Sequence, residues 1–298
     1  MSSSIRKGIL LALLAAALYA VNSPFSKLLL TYMPSTLMAG CLYLGAGLGM
    51  LPIFLVRRAG RTHSKEERLS RRDLPYTLGM ILLDIAAPIC LLAGLSRTSA
   101  ASASLLNNFE IVATAFIALA LFHEKISPRL WIGILFVTTS CALLSVEGAG
   151  ELRFSVGSLL VLLAGVCWGL ENNCTRTLSS KDPLQIVLLK GIFSGGTTVI
   201  LALCLGERAC AWWSIPAVLA VGLVAYGLSI FFYVYAQRLL GAARTSAYYA
   251  IAPFIGAALS LAVFREWPSG QYILALTVMV AGAWLCSGDG PLFPKRTK

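Results

Sequence analysis

The stretch "LLALLAAALYAVNSPFSK" at residues 10–27 decides the fold, because it returns as "LLVLLAGVCWGLENNCTR" at 159–176, an offset of 149 in a chain of 298 residues. Leucines match at four places, Tyr19 falls on Trp168, and Lys27 falls on Arg176. Ala16 and Ala20 fall on Gly165 and Gly169, a small-xxx-small stripe that lets helices approach closely. Each copy is also long and apolar enough to cross a bilayer as a helix.

Other matches follow in order. "GLSRTSA" (94–100) returns as "GAARTSA" (241–247), Gly45 and Gly49 fall on Gly191 and Gly195, and "HEKISP" (123–128) parallels "REWPSG" (265–270). Ordered matches at a nearly constant offset mark an internal repeat.

Composition agrees with a membrane chain. It is 58% hydrophobic and 12% charged, with mean hydropathy +0.80, where a soluble domain carries roughly a quarter charged residues. Strand alternation is missing, which argues against a membrane β-barrel. Ten helical spans are expected, at 7–31, 34–56, 74–95, 99–122, 128–146, 155–176, 184–205, 214–237, 244–264 and 268–287. The first is read as a retained helix, not a cleaved signal, because it runs on through Pro24 and Lys27. Ser127-Pro128 and Asp182-Pro183 carry cap-plus-proline start signals, and Ser214 with Pro216 a looser one.

The net charge of +11 sits in connecting loops and reads as membrane topology, not nucleic-acid binding. With the N-terminus in the cytoplasm, eighteen of the 24 Lys and Arg fall on the cytoplasmic side, and only Arg97, Arg153, Arg208 and Arg265 fall opposite. Both termini are then cytoplasmic, in an integral protein of the cell membrane. The basic loop at 57–73 is expected to face anionic headgroups, and Trp212 and Trp213 to sit in the interfacial aromatic belt. The eight cysteines form no Cys-x-x-Cys pair and read as small hydrophobes. Only His63 and His123 are available, so no metal site and no cofactor are expected.

The domain reading is a first repeat at 1–147, a short acidic joint at 148–154, a second repeat at 155–288, and a tail at 289–298. Five spans per half is an odd number, so the second half is upside down. Inverted repeats are a transporter signature, with a site near the midplane and alternating access.

The fold class is thus an all-α polytopic membrane protein of ten transmembrane helices in two inverted five-helix repeats. The chain also resembles the drug/metabolite transporter superfamily, EamA branch. The resemblance rests on "YAVNSPFSK" and "WGLENNCTR", on "LYLGAGLG" (42–49), on the "RTSA" helix starts, and on the "EK" ending the fourth span. It implies two EamA repeats and a central cavity lined mainly by spans one, three, four, six, eight and nine. It also implies substrates drawn from amino acids, nucleosides, sugars and drugs. The second half departs from the pattern where Trp267 replaces the cation after the glutamate.

Three acids lie within spans: Asp84, Glu110 and Glu171. An Asp at a helix centre costs about 3 kcal/mol on insertion scales, so such groups usually face a cavity and act. Glu171 lies toward the cytoplasmic end of the sixth span, within reach of the interface. Pro88, Pro24 and Pro253 remove the N–H that would bond the carbonyls of Asp84, Ala20 and Tyr249. Asn107 and Glu110, three apart, share a face. The expected binding residues are Asp84, Glu110, Asn107, Asn22, Tyr19, Trp168, Glu171, Asn172, Tyr248 and Tyr249. Of the adjacent Tyr248 and Tyr249, at most one can point inward. The asparagines are also readable as interhelical glue, and Lys27 and Lys190 either neutralise acids or snorkel. In each repeated heptad the Gly is expected to break the preceding span and Thr or Ser to cap the next. That makes Arg97 and Arg244 paired gates at opposite mouths.

The function expected is a secondary transporter exporting a small amine-bearing metabolite. The partners are that solute and the lipid bilayer; a carboxylate away from water can carry a proton, so proton exchange and uncoupled facilitated transport both stay open. An importer, or a drug, nucleoside or sugar carrier of the same fold, stays open. So does a sensor or scaffold without flux. An enzyme is not expected: there is no His-Glu-x-x-His, and "GIFSGG" (191–196) misplaces its glycines for a nucleophile elbow.

Overall fold

A computed structural model of the chain describes residues 3–59, 69–122, 127–147, 153–178, 181–240, 245 and 248–286. Eight helices are long and apolar enough to cross a membrane, and two shorter apolar helices, Ala252–Phe264 and Gly270–Cys286, complete the ten expected spans. The only strands among the described residues are Val146–Glu147 and Arg153–Phe154, a two-residue antiparallel pair flanking the mid-chain joint.

The expected start signals act at two of three places. Ser127 accepts from the Leu130 N–H and Asp182 from the Leu184 N–H, each just before a proline. Ser214 is not a cap; it lies inside its helix and its hydroxyl donates to the Ala211 carbonyl. Ser99 caps the fourth span by accepting from Ser102 N–H. Gly94, however, does not break the third span. It lies inside Leu74–Leu95, and a Cβ there would come within 2.6 Å of the Gly157 carbonyl. Close approach to the sixth span, not chain reversal, is what requires glycine at that position.

The helix interruptions are selective. The first span divides at Val21 into Ser3–Ala20 and Asn22–Leu29, three residues before Pro24. The turn at 250–251 precedes Ala252 and Pro253 in the ninth span. The third span runs unbroken through Pro88, although the proline still offers no N–H to the Asp84 carbonyl. The fourth span divides at Asn107-Asn108, with no proline, into Ala100–Leu106 and Phe109–Phe122. Spans seven and eight each contain a wide π-helical turn, Lys190–Ser194 and Leu223–Leu228, a feature frequent at functional sites.

The packing pattern exchanges when the halves are exchanged. The third span packs on the sixth, and its repeat counterpart, the eighth, packs on the first. The fourth packs on the sixth, as the ninth packs on the first. The second and seventh, fourth and ninth, and fifth and tenth spans pack on their own counterparts. Glycine makes the central contact possible: a Cβ on Gly191 would lie 2.3 Å from the Gly47 nitrogen. At the periphery, Arg129 and Gln271 donate to backbone carbonyls across the fifth and tenth spans, and Ser140 donates to the Ala275 carbonyl at 2.6 Å.

Candidate functional site

The π-turn of the seventh span starts at Lys190, whose ammonium is buried between two acids. Its Nζ lies 2.6 Å from Glu171 Oε1 and 3.2 Å from Asp84 Oδ2. The first contact is a hydrogen bond; the second is an ion pair without hydrogen-bond alignment. Tyr43 donates to Asp84 Oδ1 at 2.8 Å, and Thr175, one turn beyond Glu171, donates to the same Oε1 as Lys190. Asp84 is 1% exposed. An unpaired charge in such a place is strongly destabilising, whereas a charge with both a counter-ion and hydrogen-bond donors is tolerated. Glu171, within reach of the interface by its place in the sequence, is buried and turned inward to Lys190. Two carboxyl groups thus surround one ammonium.

Glu110 forms no ion pair with this triad, although Glu171 and Lys190 both lie within its electrostatic range. Its Oε1 accepts from Asn172 Nδ2 at 2.5 Å, and among the described residues it has no cationic partner. Gly165 allows the approach, since a Cβ there would come 3.2 Å from the Glu110 nitrogen. The shared helical face of Asn107 and Glu110 is interrupted by the turn at 107–108, across which Glu110 N–H bonds the Asn107 carbonyl. Asn107 is buried, and its Oδ1 has no hydrogen-bond partner. Asn173 bonds the Gly169 carbonyl of its own helix.

The first span builds an uncharged counterpart. Asn22 Nδ2 donates to Tyr226 OH at 3.1 Å, and Ser26 donates to Asn22 Oδ1 at 3.0 Å. Tyr226 also packs on Tyr43 and edge-on to Tyr19, with ring centroids 5.0 and 5.9 Å apart. Tyr19 reaches Tyr249 at 6.0 Å, which meets Tyr233 at 4.9 Å. Tyr249 is thus the inward member of its pair, and Tyr248, 38% exposed, points out of the cluster. Trp168 is buried in the main apolar core one turn before Asn172. Tyr43, Lys190, Tyr226 and Tyr233, with the hydroxyls of Ser26 and Thr175, were not among the expected site residues. Lys190 carried a signal, as a cation inside an apolar run. Tyr43 carried none.

The two cavities described lie at one end of the bundle, and neither is lined by Asp84 or Glu110. Arg97 lines the larger of them. Its repeat counterpart Arg244, and the "EK" at 124–125, lie outside the described residues. Lys27 donates to the carbonyls of Leu95 and Thr98, closing the first span onto the end of the third, and lines the cavity there beside Glu266. Among the described residues no three His, Cys, Asp or Glu could hold a metal ion.

A buried network of acids, amides and tyrosines thus lies among ten apolar helices, and sequence comparison gives that arrangement a family. The model of the EamA-like transporter family matches residues 6–146 and 155–288. The chain belongs to the EamA-like transporter family. It is 24% identical over 290 residues to an uncharacterized transporter of Methanothermobacter thermautotrophicus, covering 93% of this chain and 84% of that protein. It is 22% identical over 234 residues to the uncharacterized transporter YyaM of Bacillus subtilis, covering 75% of this chain and 76% of that protein. One solved crystal structure of a protein superposes with a TM-score of 0.63 at 18% identity, covering 95% of both chains. This EamA protein is accordingly an integral membrane transporter of a small molecule.

Proposed function

We propose that this EamA transporter is a secondary carrier that exports a small amine-bearing metabolite, bound in the midplane between two inverted five-helix repeats. The observation that carries the amine reading is Glu110: a carboxylate in the middle of a span, bonded to a neutral amide and to no cation. Tyr19 and Tyr249 lie within its electrostatic range, and tyrosine faces attract ammonium groups. The Asp84–Glu171–Lys190 triad adds a second acid-rich group nearby, with two carboxyl groups to one ammonium.

Alternating access is supported by the exchange-symmetric packing and by the two family matches, one on each side of 147–154. That division supports repeats at 1–147 and 155–288, a joint at 148–154 and a tail at 289–298. The Lys and Arg bias supports cytoplasmic termini in the cell membrane. Export follows family analogy. Arg97 at the outer cavity supports its reading as a gate, with Arg244 as its inner counterpart. Glu110 or Asp84 is the candidate proton carrier.

Counterflow in proteoliposomes tests the reading. Amino acids or polyamines should exchange, and anionic solutes should not; exchange of anionic solutes alone contradicts it. Flux that stays unchanged and pH-dependent in both Asp84→Asn and Glu110→Gln removes these acids as coupling groups.

A further inference from the structure

The fourth span breaks where no proline or glycine forces it to. Asn107 and Asn108 form the turn between Ala100–Leu106 and Phe109–Phe122. The bonds that cross it run from the N–H groups of Asn107, Asn108, Glu110 and Ile111 to the carbonyls of Ala103, Leu105, Asn107 and Asn108. None of them ends on the Ser104 carbonyl. The side chains are left over as well. Ser104 Oγ, Asn107 Oδ1 and both polar atoms of the Asn108 amide have no hydrogen-bond partner, although all three residues are buried and Asn108 is 1% exposed. Asn22 makes the contrast, since its oxygen and its nitrogen are both used. Ser104 precedes the asparagines by three and four residues and so shares their helix face. Helical side chains lean toward the N-terminus, which tilts both amides toward Ser104.

The segment Ala100–Leu106 packs on the first and ninth spans, which are interrupted too. A Cβ on Gly256 of the ninth span would lie 2.9 Å from Ser104 Oγ and 3.2 Å from the Ala20 carbonyl oxygen of the first. Glycine keeps that point open, with both oxygens beside it. Pro24 has no N–H to give the Ala20 carbonyl. Two interrupted helices thus bring oxygens to one point against a third, and acceptors outnumber donors there. All of these oxygens are neutral. The Glu110 carboxylate takes no part, because it accepts from Asn172 of the sixth span. A divalent ion is usually held by carboxylates, and zinc or copper by nitrogen or sulfur. Neutral oxygens at broken helices suit a monovalent cation.

We propose that the break in the fourth span is a sodium site. Its ligands are Ser104 Oγ, the side-chain oxygens of Asn107 and Asn108, and the freed carbonyls of Ser104 and Ala20. Sodium, smaller than potassium, fits a place so nearly closed off. The ion ties the fourth span to the first, against the ninth span of the other half. Its binding and release therefore act where the two halves meet, which is where a coupling ion has to act. The site goes beyond the amine reading of Glu110 and does not depend on it.

The test is equilibrium binding of radiolabelled sodium to the purified full chain, in choline chloride at constant ionic strength. Binding should saturate, and potassium should displace the label at least about tenfold less well than sodium. Asn107→Leu and Asn108→Leu should each weaken binding by about tenfold or more. The Asn108 amide has no partner to lose, so Asn108→Leu strands no other group and should melt no lower than the unsubstituted protein in choline. Sodium should raise the melting temperature of the unsubstituted protein and not that of Asn108→Leu. Ser104→Ala, a milder change, should weaken binding too, and it carries the test if the leucine variants fail to fold. No saturable binding, potassium displacing as well as sodium, or binding unchanged in the folded variants overturns the site. The amine reading fails separately: amine counterflow by Glu110→Gln at the unsubstituted rate removes it and leaves the sodium result as found.

Discussion

The first and sixth spans build the same device from different chemistry. In the first, Ser26 donates to Asn22 four residues back; in the sixth, Thr175 donates to Glu171 four residues back. Both pairs sit at the offset of 149 that relates the two spans. Asn22 finishes on a tyrosine hydroxyl of the eighth span, and Glu171 on the ammonium of the seventh. One span carries a neutral group at this position and the other a charged one, on one backbone plan. The repeat therefore keeps the place of a polar group while its charge differs, and the charged span needs Lys190 as a resident counter-ion.

Removing that counter-ion should have the largest effect. Lys190→Met strands Asp84 and Glu171 and should cost about 3–5 kcal/mol in unfolding experiments. The triple variant Lys190→Met, Asp84→Asn, Glu171→Gln makes the triad as neutral as the Asn22–Tyr226 pair and should recover most of that loss. If it recovers nothing, the charge comparison between the two spans is wrong.

Next is the seam where the halves meet. Gly191→Leu pushes a side chain into the Gly47 backbone and should cost about 1–3 kcal/mol or more. Gly196→Ala, with open space around its Cα, should cost far less. Equal melting temperatures would show that the second and seventh spans do not depend on glycine contact.

The smallest effect sharpens the comparison. Ser26→Ala removes a neutral hydrogen bond inside the bundle, worth about 0.6 kcal/mol on average. Thr175→Ala removes one to a carboxylate and should cost more, because charge-assisted bonds are roughly twice as strong. Equal losses would mean that Lys190 already saturates Glu171.

The number of spans, the repeat and the acids were legible because each leaves a one-dimensional mark: a run of apolar residues, an offset, a charge where none is cheap. What was not legible depends on which helix faces which. Lys190 announced itself as a buried cation, yet its pairing with Asp84, more than a hundred residues away, follows only from the seventh span lying beside the third. Tyr43 looks like any aromatic residue in an apolar run. The turn at Asn107-Asn108 has no proline or glycine to mark it. Gly94 looked like a helix terminator because glycine commonly is one, and only the neighbouring Gly157 carbonyl shows that it is a contact residue.

Glu110 carries the account, as the midplane carboxylate with no cation of its own. Counterflow of an exchanged amine by Glu110→Gln proteoliposomes, beside the unsubstituted protein at equal incorporation, tests it most directly. The account predicts loss of exchange in Glu110→Gln with the fold intact. Exchange at the unsubstituted rate would contradict it.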